Sequence, residues 1–509
     1  MRNRIIIICI FLYGALAWTT YANHAKPSSL VSAVKLYLQA ARENRPPIEQ
    51  QGFYKEKLTK EEADSIAALL WEDHIDSIKV VHENAWNSRV FEHNSFSMKF
   101  YFTVRGAKPP NGRSLYISMH GGGNTSSSVN DQQWENQKNL YGAIPREGLY
   151  LSPRAPTDTW NLWHLDHIDP LFEKIIISAI AFNEVDPNRV FIMGYSAGGD
   201  GTYQLAPRMS DRWAGAAMSA GHPNETSPLG LRNTAFALQV GGDDNAYDRN
   251  KIAAQWGVTL DSLENLDPDG YKHFVKVFPG KPHWMSLADT LGINWMSGFT
   301  RDPNPEKIVW VQDDVLHSRF YWLGVPDSQK KPRTKITAQR AGQRFDIEET
   351  GVDTVVILLN DNIADLDKPL TLSWKGNSLG QTAVDRTTAN INESIQAKSD
   401  PDYIYSAKVA VHKDFVSPIV HNKSNRRFNN YFTASVISNK LTIRELSQSG
   451  IYRISVLSLN GKTIVDLSKY LKECSINSIS LQTRLPGGSY VVRVSKTGMD
   501  VMRLVFVTP

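Results

Sequence analysis

The sequence predicts an α/β protein with a mostly parallel sheet covered by helices on both faces, followed by two small all-β modules. Three observations carry this reading. From about residue 100, short apolar runs alternate with helical stretches, the pattern of strands joined by crossover helices. After Pro326 the texture turns strand-rich, with apolar and polar residues alternating between turn residues. A polar stretch, His421-Asn422-Lys423-Ser424-Asn425-Arg426-Arg427, then precedes a last strand-rich segment. The chain has 509 residues, more than the roughly 250–300 that one core usually holds, so two or three domains are expected.

The N-terminal residues come first. Arg2 and Arg4 precede the apolar run Ile5–Tyr13, and the small-residue groups Ala15-Leu16-Ala17 and Thr20-Tyr21-Ala22 follow. This basic, apolar, small-residue order predicts a signal peptide over residues 1–22, with an uncleaved anchor as the alternative. The protein is then expected to be secreted or held at the cell surface. No other apolar run reaches about 18 residues, so no stable membrane insertion is expected once the signal is removed. The two cysteines are Cys9, inside the signal, and Cys474. They exclude a zinc site of three or four thiolates and a framework of several disulfides. Lys plus Arg is 56 against 52 for Asp plus Glu, a net charge of +4, which gives no support for a nucleic-acid surface.

Residues 23–326 read as one α/β segment with a helical N-terminal extension. Within 26–100 a helix is followed by a strand, and Thr59-Lys60-Glu61-Glu62 is a capping box ahead of Ile66, Leu69 and Leu70. Strands are expected at Leu115–Met119, Leu149–Leu151, Val190–Met193, Ala214–Met218, Phe236–Val240 and Phe274–Phe278. A helix is expected to open at Asp169-Pro170, with Asp169 as its cap. His164, Asp166, His167 and Asp169 have mixed spacings of two and three, which read as a solvated helix start rather than a metal cluster. Gln329-Lys330-Lys331-Pro332-Arg333 reads as a linker, and 333–413 as a small all-β domain in which Leu370, Leu372 and Trp374 alternate. Residues 435–509 read as a β-sandwich, with Tyr452, Ile454 and Val456 alternating and a hairpin turn at Asn460-Gly461.

The sharpest chemical motif is Gly194-Tyr195-Ser196-Ala197-Gly198, between a strand and a helix. That context predicts a nucleophile elbow presenting Ser196, with the Ala197 amide beside it. Upstream, Met119-His120-Gly121-Gly122-Gly123 ends a strand, where glycines let the amides near Gly121 and Gly122 approach a substrate oxygen. A serine nucleophile needs a base and the base an orienting acid, in the chain order Ser, Asp, His for this arrangement. Gly241-Gly242-Asp243-Asp244-Asn245 follows a strand end, so Asp244 is the first candidate, with Asp243 and Asp248 as rivals. His283, in the loop Pro279–Met285 after the next strand, is the candidate base. His273 lies at the wrong edge of the sheet and His317 comes late. Trp160, Trp163, His120, His222 and Trp284 are candidate substrate contacts, because each sits at or just beyond a strand end.

On His120-Gly121-Gly122-Gly123, Gly194–Gly199, Gly242-Asp243-Asp244 and Gly280-Lys281-Pro282-His283-Trp284, the segment from about residue 100 to 325 resembles secreted α/β-hydrolase esterases, the polyhydroxybutyrate depolymerase-like and feruloyl or acetyl-xylan esterase-like branch. The resemblance implies Ser196 as nucleophile, Asp244 as orienter, His283 as base, and amides near Gly121, Gly122 and Ala197 as the oxyanion hole. It implies an ester substrate (a small molecule, a polyester or an esterified polysaccharide) and neither cofactor nor metal. The last segment, on Tyr452–Val456, Asn460-Gly461-Lys462 and Leu485–Val494, resembles a type IX secretion sorting domain. That resemblance implies secretion machinery as a partner. The expected function is a secreted serine hydrolase of carboxylic esters. The alternatives are a prolyl-oligopeptidase-like peptidase, against which no propeller repeat precedes the segment, and a non-catalytic binding protein on the same scaffold.

Overall fold

The computed structural model describes residues 29–414 and, beyond them, 433–437, 440–444, 450–458, 462–472, 477–481, 485, 488–496 and 499–507. The expected signal peptide, both cysteines, the stretch 421–427 and the turns at Asn460-Gly461 and Pro486-Gly487 lie outside the described residues. The chain divides into two units, one up to Val420 and one from His421 onward.

The first unit starts with helices α1 (Leu30–Gln39) and α2 (Lys60–Ser88). The capping box forms as expected: Glu62 N–H donates to Thr59 Oγ1 at 3.2 Å, and Thr59 N–H donates to Glu62 Oε2 at 3.0 Å. Eight strands follow: β1 (Val90–His93), β2 (Phe96–Arg105), β3 (Arg113–Met119), β4 (Gly148–Pro153), β5 (Val185–Tyr195), β6 (Gly215–Ser219), β7 (Ala235–Gly241) and β8 (His273–Phe278). They form one sheet in the order β1-β2-β4-β3-β5-β6-β7-β8. β1 and β2 are antiparallel to each other, and β2 to β4. From β4 to β8 all neighbours are parallel. The six strands expected beyond residue 100 are all present.

Parallel strands need crossovers, and the sequence supplies helices for them as α3 (Ser127–Leu140), α4 (Ile168–Asn183), α5 (Ala197–Arg208) and α6 (Arg249–Leu266), while α7 (Thr290–Met296) follows β8. Successive side chains of a strand point to opposite faces, so the sheet carries two cores. Leu115, Ile117, Met119 and Ile192 lie in a cluster with Leu171, Phe172 and Ile175 of α4 and Leu205 of α5. Tyr116, Phe191, Met193 and Ala217 lie in the other, with Ile293 and Met296 of α7. This is the α/β-hydrolase fold. Its strands β3 to β8 end toward one edge, which is where the chemistry-bearing motifs fall.

The expected cap of α4 is a correction. The cap lies two residues earlier, at His167, with the helix starting at Ile168, and Asp169 is buried in its first turn. Its carboxylate accepts from Arg208 Nη2 at 2.5 Å and from His317 Nε2 at 2.8 Å. A guanidinium reaching over from α5 outcompetes the helix's own amides for that carboxylate. The helix start is therefore packed, not solvated: His167 is buried too and stacks on Phe96 at 3.7 Å.

Two further sheets complete the unit. β16 (Asn377–Thr382), β15 (Leu370–Trp374), β13 (Arg344–Thr350), β12 (Lys335–Ala341) and β9 (Lys307–Val311) form one. β10 (Arg319–Phe320), β11 (Leu323–Gly324), β14 (Thr354–Leu359) and β17 (Ala407–His412) form the other. They share a core that includes Trp310, Phe320, Trp322, Phe345, Ile357 and Leu372. The β region thus begins before residue 333. β9 pairs antiparallel with β12, Trp310 opposite Ile336, so the polar stretch 329–333 is a loop inside the region and not a linker. It also contains a helix, α8 (Thr388–Lys398), capped by Thr387. Ile391 and Ile395, one turn apart, join Ala63, Ile66 and Leu70 of α2 in a separate core.

Among the described residues, the second unit has the strands β18 (Thr433–Ile437), β19 (Lys440–Arg444), β20 (Gly450–Ser458), β21 (Thr463–Leu471), β22 (Asn477–Ser480), β23 (Gly488–Lys496) and β24 (Met499–Val507). Their order is β21-β20-β23-β24-β18-β19-β22. The alternating residues read from the sequence, Tyr452, Ile454 and Val456, lie in its buried core together with Val492 and Val494. Among the described residues, no helix is long and apolar enough to cross a membrane.

Candidate active site

The strand β5 runs straight into α5 through Ser196, whose φ of 57° and ψ of −121° lie where a residue with a side chain rarely sits. The turn is tight enough that a Cβ on Gly194 would come within 2.1 Å of the Gly198 carbonyl oxygen. A Cβ on Gly198 would meet the Met119 carbonyl oxygen at 2.2 Å. Both glycines of the motif are thus required by close backbone approach. Ser196 N–H donates to the Ser219 carbonyl at 2.9 Å, which ties the turn to the end of β6.

The loops after β7 and β8 bring the partners. His283 Nε2 lies 3.0 Å from Ser196 Oγ, and its Nδ1 lies 2.7 Å from Asp244 Oδ2. Asp244 is buried, with 2% of its surface exposed, while the His283 side chain is 42% exposed. The rivals are elsewhere. Asp243 is exposed, and Asp248 pairs with Lys251 at 2.7 Å on the solvent side. The Asp244 backbone is fixed by its own N–H to the Gly241 carbonyl and by Asn250 N–H to its carbonyl. Asn250 Nδ2 also donates to the Gly242 carbonyl at 2.7 Å.

The loop after β3 faces the serine. A Cβ on Gly121 would stand 3.2 Å from Ser196 Cβ, and Gly122 has a φ of +105°, which favours glycine. Ala197 is the first residue of α5, so its amide has no partner within the helix. The buried Asn130 holds this loop: its Oδ1 accepts from Gly123 N–H at 2.8 Å, and its Nδ2 donates to Asp158 Oδ1 at 2.8 Å. Arg154 in turn reaches Asp158 at 2.5 Å and Asp131 at 2.8 Å.

Two expected substrate contacts are corrected. His120 is fully buried; its Nε2 accepts from Ala155 N–H at 3.1 Å, which leaves the proton on Nδ1, beside the Gly121 carbonyl at 2.6 Å. Burial pushes its pKa down to about 4. It is a prop for the loop, with both nitrogens occupied by backbone. Trp163 is also fully buried, donates Nε1–H to the His120 carbonyl at 3.0 Å, and packs edge-on to the His120 ring. A residue at a strand end can point into the core as readily as into the cleft, and the sequence does not distinguish the two.

Trp160 and Trp284 are exposed, at 56% and 47%. Trp284 leans on Tyr195 with ring centroids 5.5 Å apart, and the Trp160 backbone lies against Gly123. His222 is half-buried; its backbone N–H donates to Asp200 Oδ1 at 2.6 Å, and its Nδ1 accepts from Asn224 N–H at 2.9 Å. Burial raises the Asp200 carboxyl to about 6. Sequence reasoning missed Asp200, Asn130 and Tyr195. The Tyr195 hydroxyl donates to the His283 carbonyl and accepts from Met285 N–H at 3.0 Å, clamping the histidine's loop. Tyr195 is the variable position of the serine motif, so only the fold reveals its partner.

The arrangement can deprotonate a serine hydroxyl and hold the resulting imidazolium against a buried carboxylate. No family model and no curated protein sequence matches this chain. Solved structures do. A thermostable esterase is 17% identical over 42% of this chain and 62% of its own, with a TM-score of 0.34. The chain therefore spans less than two thirds of that esterase. The feruloyl esterase module of Clostridium thermocellum, a serine-to-alanine mutant complexed with sinapinate, is 16% identical over 40% of this chain and 83% of its own, with a TM-score of 0.29. Esterase 2 of Thermogutta terrifontis is 15% identical over 42% and 91%, with a TM-score of 0.30.

Proposed function

We propose that this chain is an exported serine hydrolase that cleaves carboxylic esters through an acyl-enzyme. The observation that carries the reading is the unbroken line Asp244–His283–Ser196, with spacings of 2.7 and 3.0 Å, ending on a serine held at a strained strand-to-helix turn. His283 Nε2 takes the Ser196 proton as Oγ attacks the ester carbonyl. Asp244 keeps the other ring proton on Nδ1 and stabilises the imidazolium. The amides near Gly121, Gly122 and Ala197 receive the tetrahedral oxyanion, and losing one such donor costs on the order of 10²–10³ in rate. His283 then protonates the leaving alcohol, and water, activated by the same imidazole, releases the acid.

In this reading the catalytic segment ends ahead of β9, at residue 306, and Trp160, Trp284 and His222 rim the substrate. Residues 1–22 direct export. The second unit serves secretion machinery as a sorting domain, a role that rests on its sequence resemblance. The substrate is an ester of a small molecule, a polyester or a decorated polysaccharide. The test is hydrolysis of p-nitrophenyl acetate together with labelling by a fluorophosphonate. Wild type turns over and labels, while Ser196→Ala does neither and keeps the wild-type circular dichroism spectrum. Turnover by the folded Ser196→Ala variant overturns the proposal.

A further inference from the structure

Arg249 is placed where ordinary packing gives no reason to keep a cation. It is the first residue of α6, and the positive end of a helix dipole disfavours a positive charge. Its side chain is only 12% exposed, and its buried Nε has no hydrogen-bond partner. Two consecutive non-glycine residues just before it, Tyr247 (φ 56°) and Asp248 (φ 54°), take left-handed conformations. Each of these features costs stability. Together they place the guanidinium with Nη1 3.6 Å from Asp244 Oδ1, beneath the Tyr247 ring at 4.9 Å from its centroid.

The two oxygens of Asp244 are therefore divided. Oδ2 meets His283 Nδ1 at 2.7 Å, and Oδ1 faces Arg249. The titratable and charged groups around the guanidinium come from four elements. They are Asp244 on the loop after β7, His283 beyond it on the loop after β8, Asp200 on α5, and His222 on the loop after β6. Asp248 and Lys251 pair with each other on the outside. Within this group two carboxylates face one permanent cation.

We propose that Arg249 is a positioning residue of the hydrolytic site: it pins Asp244 so that Oδ2 stays on His283, and its charge offsets part of the Asp244 charge that holds the His283 imidazolium. The proposal rests on the reading of Ser196 and His283 as nucleophile and base. Without the guanidinium, His283 would face the full Asp244 charge with no cation on its other oxygen. Its proton would be held more tightly, and the base form would appear at higher pH. Tyr247 shields the guanidinium from water and so strengthens its field at the site.

The experiment measures the second-order rate of fluorophosphonate labelling from pH 5 to 9 in full-length wild type, Arg249→Met and Arg249→Lys. Labelling needs an activated serine and not the right ester, so the profile is read whatever the natural substrate is. The expected result for Arg249→Met is an acid limb moved up by about one pH unit, with a plateau about tenfold lower. Arg249→Lys restores the limb and recovers only part of the plateau, because a point charge replaces a planar one. Should the Met variant not fold, Arg249→Gln serves as the neutral comparison with Arg249→Lys. A folded neutral variant whose acid limb coincides with wild type overturns the proposal. Absence of labelling in wild type overturns the hydrolase reading itself, which separates the two failures.

Discussion

Asp244 and Asp248 stand four residues apart, one at 2% exposure with a carboxylate on His283 and the other in an exposed ion pair with Lys251. Asp244→Asn is therefore expected to lower kcat by on the order of 10³–10⁴, because an amide no longer selects the Nδ1–H tautomer. Asp248→Asn should stay within about threefold of wild type, since it breaks only a surface pair. Steady-state ester hydrolysis by the two variants checks this, and a large loss confined to the Asp248 variant would reassign the acid. That Ser196, His283 and the glycine loop come together is legible in the sequence because each motif follows a strand end. The choice among three neighbouring aspartates is not legible, since it depends on which way a loop turns. His120 and Trp163 mislead for the same reason: their side chains turn inward, and nothing in their spacing records it.

The elements show where local patterns suffice and where long-range contacts decide. The α2 capping box and the parallel strands follow from spacing alone, and they form as read. The start of the β region does not, because β9 is recognised only through its partner β12, across the polar loop that resembles a linker. Nor does the anchoring of that region to the hydrolase sheet. Asp400, beyond α8, is fully buried and accepts from Arg212 Nη1 at 2.7 Å and Arg301 Nη1 at 2.8 Å, both from loops of the α/β segment. Lys398 adds a pair with Asp211 at 2.8 Å. Removing one member of such a cluster leaves buried charges uncompensated. Asp400→Ala is thus expected to cost about 3–5 kcal/mol of stability. Urea unfolding followed by tryptophan fluorescence measures it. A loss below about 1 kcal/mol would mean that the apolar contacts of α2 with α8, and not this cluster, hold the β region in place.

Over the whole molecule, buried histidines set the response to acid. Burial holds His120 and His164 near 4 and lowers His74, His82, His167 and His222 as well. In the unfolded chain these groups titrate near 6.5, so the folded state binds fewer protons below that value. The stability they contribute is complete above pH 6.5 and drains as pH falls toward 4; for the fully buried His120 this amounts to about 3 kcal/mol. Asp200 works the other way. Its carboxyl is raised to about 6, so it favours the folded state as pH falls from there toward 3.8. Burial raises Asp289 and Asp402 in the same direction; these few carboxyls oppose six histidines, and the net expectation is a melting temperature that declines between pH 6.5 and 4.5. Above 4.5 the acids held low by ion pairs, Asp169, Asp267 and Asp400 among them, stay ionised and leave the trend unchanged. Asp200→Asn removes one of these opposing groups, so its melting temperature should fall more steeply than wild type over the same window, measured by differential scanning calorimetry. A flat profile in both proteins would show that these histidines are hydrated in solution. Protonating His120 costs more than stability, because its Nε2 can then no longer accept from Ala155, and the glycine loop beside Ser196 loses the prop that shapes it. Acid should therefore weaken labelling of Ser196 reversibly before the chain unfolds.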